Sequence, residues 1–203
     1  VISLGVTGGI GSGKSAAVAH LAARPGVRVL RADDEAKRLM ADDADLRAAL
    51  VARFGPDTYG ADGRLDRSRL AARVFADADE LSALNAIVHP AVRRSLEAAL
   101  ESARADGVRL FVYEAALLFD IGGEGRLDAT LLVDAPPDLR VARAAARDGV
   151  PPEAVRDRMR NQIDPAEARR RATFVIDNAG SLADLHAAVD AVADRLLGAG
   201  DAG

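Results

Sequence analysis

Apolar residues fall in five short runs separated by longer stretches with helical periodicity. The first run carries Val1, Ile2, Leu4 and Val6; the others lie at residues 27–30, 110–113, 129–133 and 174–176. Runs this short, rich in Val, Ile, Leu and Phe and bounded by polar or turn residues, predict strands. Strands alternating with helix-length segments predict an α/β fold, a five-stranded parallel sheet flanked by helices. Ligands of such sheets bind at the carboxyl ends of the strands. The polar residues expected there are Asp33, Glu114, Asp134 and Asn178.

Two segments break the alternation. Residues 34–106 show helical patterning with a turn-rich patch at Gly55-Pro56-Asp57 and Asp62-Gly63, which predicts a helical insertion beside the sheet. Residues 141–173 are crowded with arginine and interrupted by Gly149 and Pro151-Pro152. The predicted core is therefore 1–33 with 107–140 and 174–203. Within it, residues 182–197 read as an amphipathic closing helix with a frayed tail after Gly198.

The first strand runs into Gly8-Gly9-Ile10-Gly11-Ser12-Gly13-Lys14-Ser15, and an alanine-rich helical stretch follows. This strand–loop–helix context is what a nucleotide-phosphate loop requires. Glycines let successive backbone N–H groups turn toward an anion, and the helix N-terminus adds its positive dipole end. Lys14 then reaches the β- and γ-phosphates, and the Ser15 hydroxyl ligates magnesium. Composition sharpens the point. Of 27 basic residues only Lys14 and Lys37 are lysine, so lysine in the loop does not follow from general usage. A compact ammonium suits a crowded phosphate cradle better than a planar guanidinium.

The remaining composition narrows the class. A chain of 203 residues can bury one core with room for an insertion. Cysteine is absent, which removes disulfides and thiolate chemistry and suits the cytoplasm. No apolar run approaches a membrane span, and no signal peptide is evident. A net charge of −4 offers no general attraction for nucleic acid.

Several side chains are candidates for chemistry around the loop. Asp33 is placed to accept a proton from an attacking hydroxyl; it is equally suited to cap a helix, as is Asp34. Glu114 closes the run Leu-Phe-Val-Tyr and is preferred over Asp134 as the second magnesium-site residue. Arg140, Arg143 and Arg147 have helical spacing and so share one face, from which they could neutralise charge on a transferred phosphoryl group. His89 has no second histidine or cysteine nearby and is not expected to bind metal. Asp120-Ile121-Gly122-Gly123 and Asn161-Gln162-Ile163-Asp164 loosely match the motifs of a GTP-dependent switch. The second fails on context: it follows a charged helical stretch rather than a strand, and glutamine stands where lysine is needed.

Taken together, these residues resemble the dephospho-coenzyme A kinase family. The resemblance rests on Leu4–Ser15, on Arg31-Ala32-Asp33 where the family has Asp-Ala-Asp, on Leu84–Pro90, on Glu114–Asp120 and on Val175–Gly180, in that order. It implies a P-loop kinase that transfers the γ-phosphate of ATP, with Mg2+, to the ribose 3′-hydroxyl of dephospho-coenzyme A. Asp33 and Lys14 become catalytic, with Arg140, Arg143 and Arg147 on the side of a lid spanning 141–173. Residues 34–106 become the acceptor-binding domain, and Asp33, His89 and Leu117 contact the substrate. Nucleotide contacts fall to Gly8, Gly9, Ile10, Gly11, Ser12, Gly13, Lys14, Ser15, Ala16, Asn178 and Gly180, and metal ligation to Ser15 and Glu114. The implied enzyme is cytoplasmic and monomeric, with a small-molecule partner and neither membrane nor nucleic acid. The chain departs from the family at Arg31, at Ala116 (usually proline), at Asp120 (usually glutamate), at Ala16 and at Arg140 (usually glutamine). The alternative is another small-molecule kinase with the same loop.

Overall fold

The computed structural model describes residues 1–119 and 122–200. They divide into two compact units, residues 1–30 with 102–203 and residues 31–101. The larger unit carries a five-stranded parallel sheet. Its strands are β1 (Ile2–Thr7), β2 (Val27–Arg31), β3 (Leu110–Glu114), β4 (Ala129–Asp134) and β5 (Phe174–Asp177), in the order β2-β3-β1-β4-β5. Each of β2 to β5 ends one residue beyond its apolar run. Glu114 and Asp134 are thus the last residues of their strands rather than the first of the following loops.

The sheet's two faces follow from the alternation of side chains along each strand. Leu4 and Val6 of β1, Leu110 and Val112 of β3, Leu131 and Val133 of β4 and Ile176 of β5 point to one face. There they meet Val18 and Leu21 of helix α1 (Lys14–Ala22), and Leu185 and Val189 of the closing helix. Leu132 and Val175 point to the other face, against Phe119, Ile163 and Ala168. Full burial of a Leu or Val side chain is worth about 1.5–3 kcal/mol, so a one-residue slip in any central strand would expose several such contributions at once.

In the remaining chain of the larger unit, helices α6 (Pro137–Asp148), α7 (Pro152–Arg160) and α8 (Pro165–Arg171) occupy the arginine-rich segment. The boundary expected at 140/141 therefore falls inside α6. The closing helix α9 runs Leu182–Gly200, passing through Gly198 where a frayed tail was expected.

The smaller unit is helical. It contains α2 (Ala32–Asp42), α3 (Ala44–Phe54), α4 (Arg67–Ala76) and most of α5 (Ala78–Ala105). A single turn at Pro56–Thr58 and an antiparallel bridge between Tyr59 and Leu65 fill the turn-rich patch. Leu39, Leu46, Leu50, Phe54, Leu70 and Val88 form its core. Asp43 and Asp66 cap α3 and α4 by accepting backbone N–H bonds. Arg31, not Asp33 or Asp34, occupies the cap position of α2. The capping alternative for Asp33 is thereby removed, and the boundary expected at 33/34 falls inside that helix.

Candidate active site

Chain direction makes the carboxyl end of β1 a crevice. The connection leaving β1 runs to one side of the sheet and the connection leaving neighbouring β4 runs to the other, so the two separate above the strand ends. Residues 8–13 fill this place and lead into α1, which puts the first amides of that helix at the floor of the loop. Gly11 (φ 74°) and Gly13 (φ 96°) hold left-handed conformations that a larger residue rarely adopts. A Cβ on Gly9 would strike the Arg140 guanidinium, one on Gly11 the Arg140 carbonyl, and one on Gly13 the Asn178 amide. The loop is therefore gripped from outside by the start of α6 and by the turn after β5.

On the helix side of the loop, Ser15 Oγ donates to Glu114 Oε1 at 3.1 Å, and Lys14 Nζ lies 3.6 Å from the same oxygen. Glu114 is buried. A hydroxyl and a carboxylate side by side are hard oxygen donors of the kind Mg2+ takes. Asp134 has other partners: Arg169 at 2.9 Å, Arg140 at 3.8 Å and its own neighbour's backbone, Ala135 N–H. Arg169 also grips Asp177, holding that carboxyl below its usual range.

The three arginines expected on one face meet three different partners. Arg140 is buried; its Nε donates to the Ile10 carbonyl at 3.0 Å and its Nη2 to Gln162 Oε1 at 2.9 Å. Burial pushes its pKa down, and Asp134 only partly opposes that. Arg143 donates to the Asn178 carbonyl at 3.0 Å. Arg147, in the last turn of α6, pairs with Asp148 at 2.7 Å. Spacing puts all three on one side of α6, and their partners change along its length. On that shared face stand one loop clamp, one brace on the β5 turn and one local ion pair.

Asn178 is buried and donates its side-chain amide to the Ser12 carbonyl at 2.8 Å, bracing the loop from outside. Gly180 lies against Asp184, beside the Ser181–Asp184 capping pair at the start of α9. Ala16, in the first turn of α1, packs against the sheet core. Leu117 is 44% exposed and shares a small pocket with Thr7, Gly9, Phe119, Arg140 and Gln162. In the smaller unit, Asp33 lies in the first turn of α2. His89 precedes Pro90 within α5; burial, with Arg93 nearby, holds its pKa below the usual histidine range. Among the described residues no group of three or more His, Cys, Asp or Glu forms a metal cluster.

Of the two switch-like motifs, Asp120 and Ile121 lie outside the described residues. Asn161-Gln162-Ile163-Asp164 forms the break between α7 and α8. There Asp164 caps α8 and Gln162 Oε1 accepts the Ile10 N–H at 3.2 Å. In the sequence, Gln162 stands out only as the mismatch in a guanine-reading motif. Its position between two helix ends was the available signal that its side chain faces elsewhere.

Comparison with known proteins agrees with this geometry. The family profile described as dephospho-CoA kinase matches residues 2–184. A Salinibacter ruber protein named dephospho-CoA kinase is 49% identical over 183 residues, covering 90% of this chain and 92% of its own. A Thermus thermophilus crystal structure is 45% identical, with a TM-score of 0.80 over 96% of this chain and 97% of its own. A Campylobacter jejuni dephospho-CoA kinase, 24% identical with a TM-score of 0.72 over 98% of each chain, shares the fold. A P-loop kinase fold, a phosphate loop with its lysine and serine in place, and a family match across most of the chain lead to one conclusion: this chain belongs to the dephospho-CoA kinase family.

Proposed function

We propose that residues 8–15 hold the phosphates of ATP and that the enzyme transfers the γ-phosphate to the ribose 3′-hydroxyl of dephospho-coenzyme A, giving coenzyme A and ADP. The observation that carries the reading is the meeting of Lys14, Ser15 and Glu114 beneath a glycine loop at a helix N-terminus. Lys14 now lies beside a carboxylate, and a triphosphate offers it a stronger partner. Ser15 and Glu114 would hold Mg2+. Bound there, the ion would supply positive charge that offsets the negative charge developing during transfer. Arg140 and Asn178 fix the loop, so its amides need little rearrangement at the moment of reaction.

Asp33 is the proposed base for the acceptor hydroxyl. Its place in the first turn of α2, without a capping duty, supports that role. Residues 34–106 supply the acceptor surface, with His89 in that region, while Leu117 offers apolar contact. The same reading makes the kinase a cytoplasmic monomer acting on a small molecule, without nucleic acid. No helix among the described residues is long and apolar enough to cross a membrane.

The test is direct. Incubated with ATP, magnesium and dephospho-coenzyme A, the wild type should form the 3′-phosphorylated product and ADP, and a panel of nucleoside acceptors should not replace dephospho-coenzyme A. Asp33→Asn should lower turnover by about 10²–10⁴-fold with ATP affinity unchanged. Turnover close to wild type would remove Asp33 from the role.

A further inference from the structure

The Ile10 N–H is an amide of the glycine loop, and its acceptor is Gln162 Oε1 at 3.2 Å. The same oxygen accepts from Arg140 Nη2 at 2.9 Å. Both partners are donors, so the face of the carboxamide they meet is its oxygen. An oxygen held jointly by a loop amide and a guanidinium occupies the environment that a phosphate oxygen seeks. Gln162 reaches this point from residues 161–164, the break between α7 and α8, where its own N–H is held by the Met159 carbonyl at 3.1 Å.

We propose that Gln162 is a positioning residue: it stands in for a nucleotide phosphate oxygen at the Ile10 amide and the Arg140 guanidinium, and nucleotide binding displaces it. The inference rests on the reading of residues 8–15 as the ATP phosphate loop. A neutral amide oxygen is a weaker acceptor than a phosphate oxygen, so the exchange favours the nucleotide. Before nucleotide arrives, the surrogate keeps the amide and the guanidinium satisfied, which a partly buried site requires. Arg140 keeps its second anchor, the Ile10 carbonyl, throughout the exchange. Gln162 thus links the occupancy of the loop to the segment joining α7 and α8.

A surrogate competes with the ligand, whereas a brace assists it, and the two roles predict opposite shifts. Binding of a non-hydrolysable ATP analogue with magnesium, measured by calorimetry on the full chain, reads the difference. Gln162→Ala should tighten binding by about fivefold, the worth of one neutral hydrogen bond. Gln162→Glu should weaken it by about tenfold or more, because a carboxylate holds both donors more strongly and repels the phosphates. An alanine variant that binds as wild type does or more weakly overturns the proposal, as does a glutamate variant that binds at least as tightly as wild type. A wild type that does not bind the analogue removes the phosphate-loop reading along with it.

Discussion

β3 and β4 flank β1 on its two sides, and each ends in a carboxylate: Glu114 is level with Val6 of β1, and Asp134 lies further along the sheet, past Leu131, the β4 residue level with Val6. Their surroundings differ. Glu114 meets a lysine and a serine hydroxyl from the loop and the start of α1. Asp134 meets two arginines, Arg140 from α6 and Arg169 from α8. A carboxylate beside Lys14 shares a cation with any phosphate that enters. A carboxylate between two guanidiniums secures the helices that carry them. The last residues of the two flanking strands therefore meet different partners, a lysine and a hydroxyl from α1 on one side of β1 and arginines from α6 and α8 on the other.

Substitution can break this contrast. The largest effect should come from Glu114→Gln, which is expected to lower turnover by about 10²-fold and raise the magnesium concentration needed for half-maximal rate. ADP release titrated with magnesium measures both. Asp134→Asn should act on stability instead, by about 1–2 kcal/mol after allowance for the exposure of Arg169, with the magnesium requirement unchanged; urea unfolding reads the loss. If the two variants exchanged phenotypes, the metal assignment would move to β4.

The smallest effect concerns Asp177, which extends the architectural side through Arg169. The hydrogen bond to Arg169 depresses the Asp177 carboxyl in the folded state. Its contribution is fully present above the unfolded aspartate pKa and is lost as pH falls through the depressed folded value. Urea midpoints of wild type and Asp177→Asn should therefore differ at neutral pH and converge in acid. A difference that grew toward acid would mean that the pair opposes folding.

The contrast between the two carboxylates also marks where sequence reading stops. Both close apolar runs before helical segments, and nothing local separates them. The deciding residue, Arg169, lies 35 positions beyond Asp134. The glycine loop was legible because its chemistry is confined to eight consecutive residues in a strand–helix context. The helical unit was legible because residues 34–106 lack strand-like runs. Arg140 was only half legible: helical spacing gives the side of a helix, while depth depends on where that helix approaches a neighbour. Its burial arises because the first turn of α6 packs on the loop, a contact spanning 130 positions. Gln162 was hidden for the same reason, since its partner Ile10 lies 152 positions away.

The loop's glycines, finally, carry unequal evolutionary freedom. At Gly11 the obstruction is the backbone carbonyl of Arg140, which is present whatever residue stands at position 140, and the left-handed φ adds a second constraint. At Gly9 the φ is ordinary, and the obstruction consists of the side-chain ends of Arg140 and Gln162. Shortening those two side chains would open room for a methyl group at position 9 and none at position 11. Drift at two distant sites thus licenses or forbids change at one glycine of the motif while leaving its neighbour invariant.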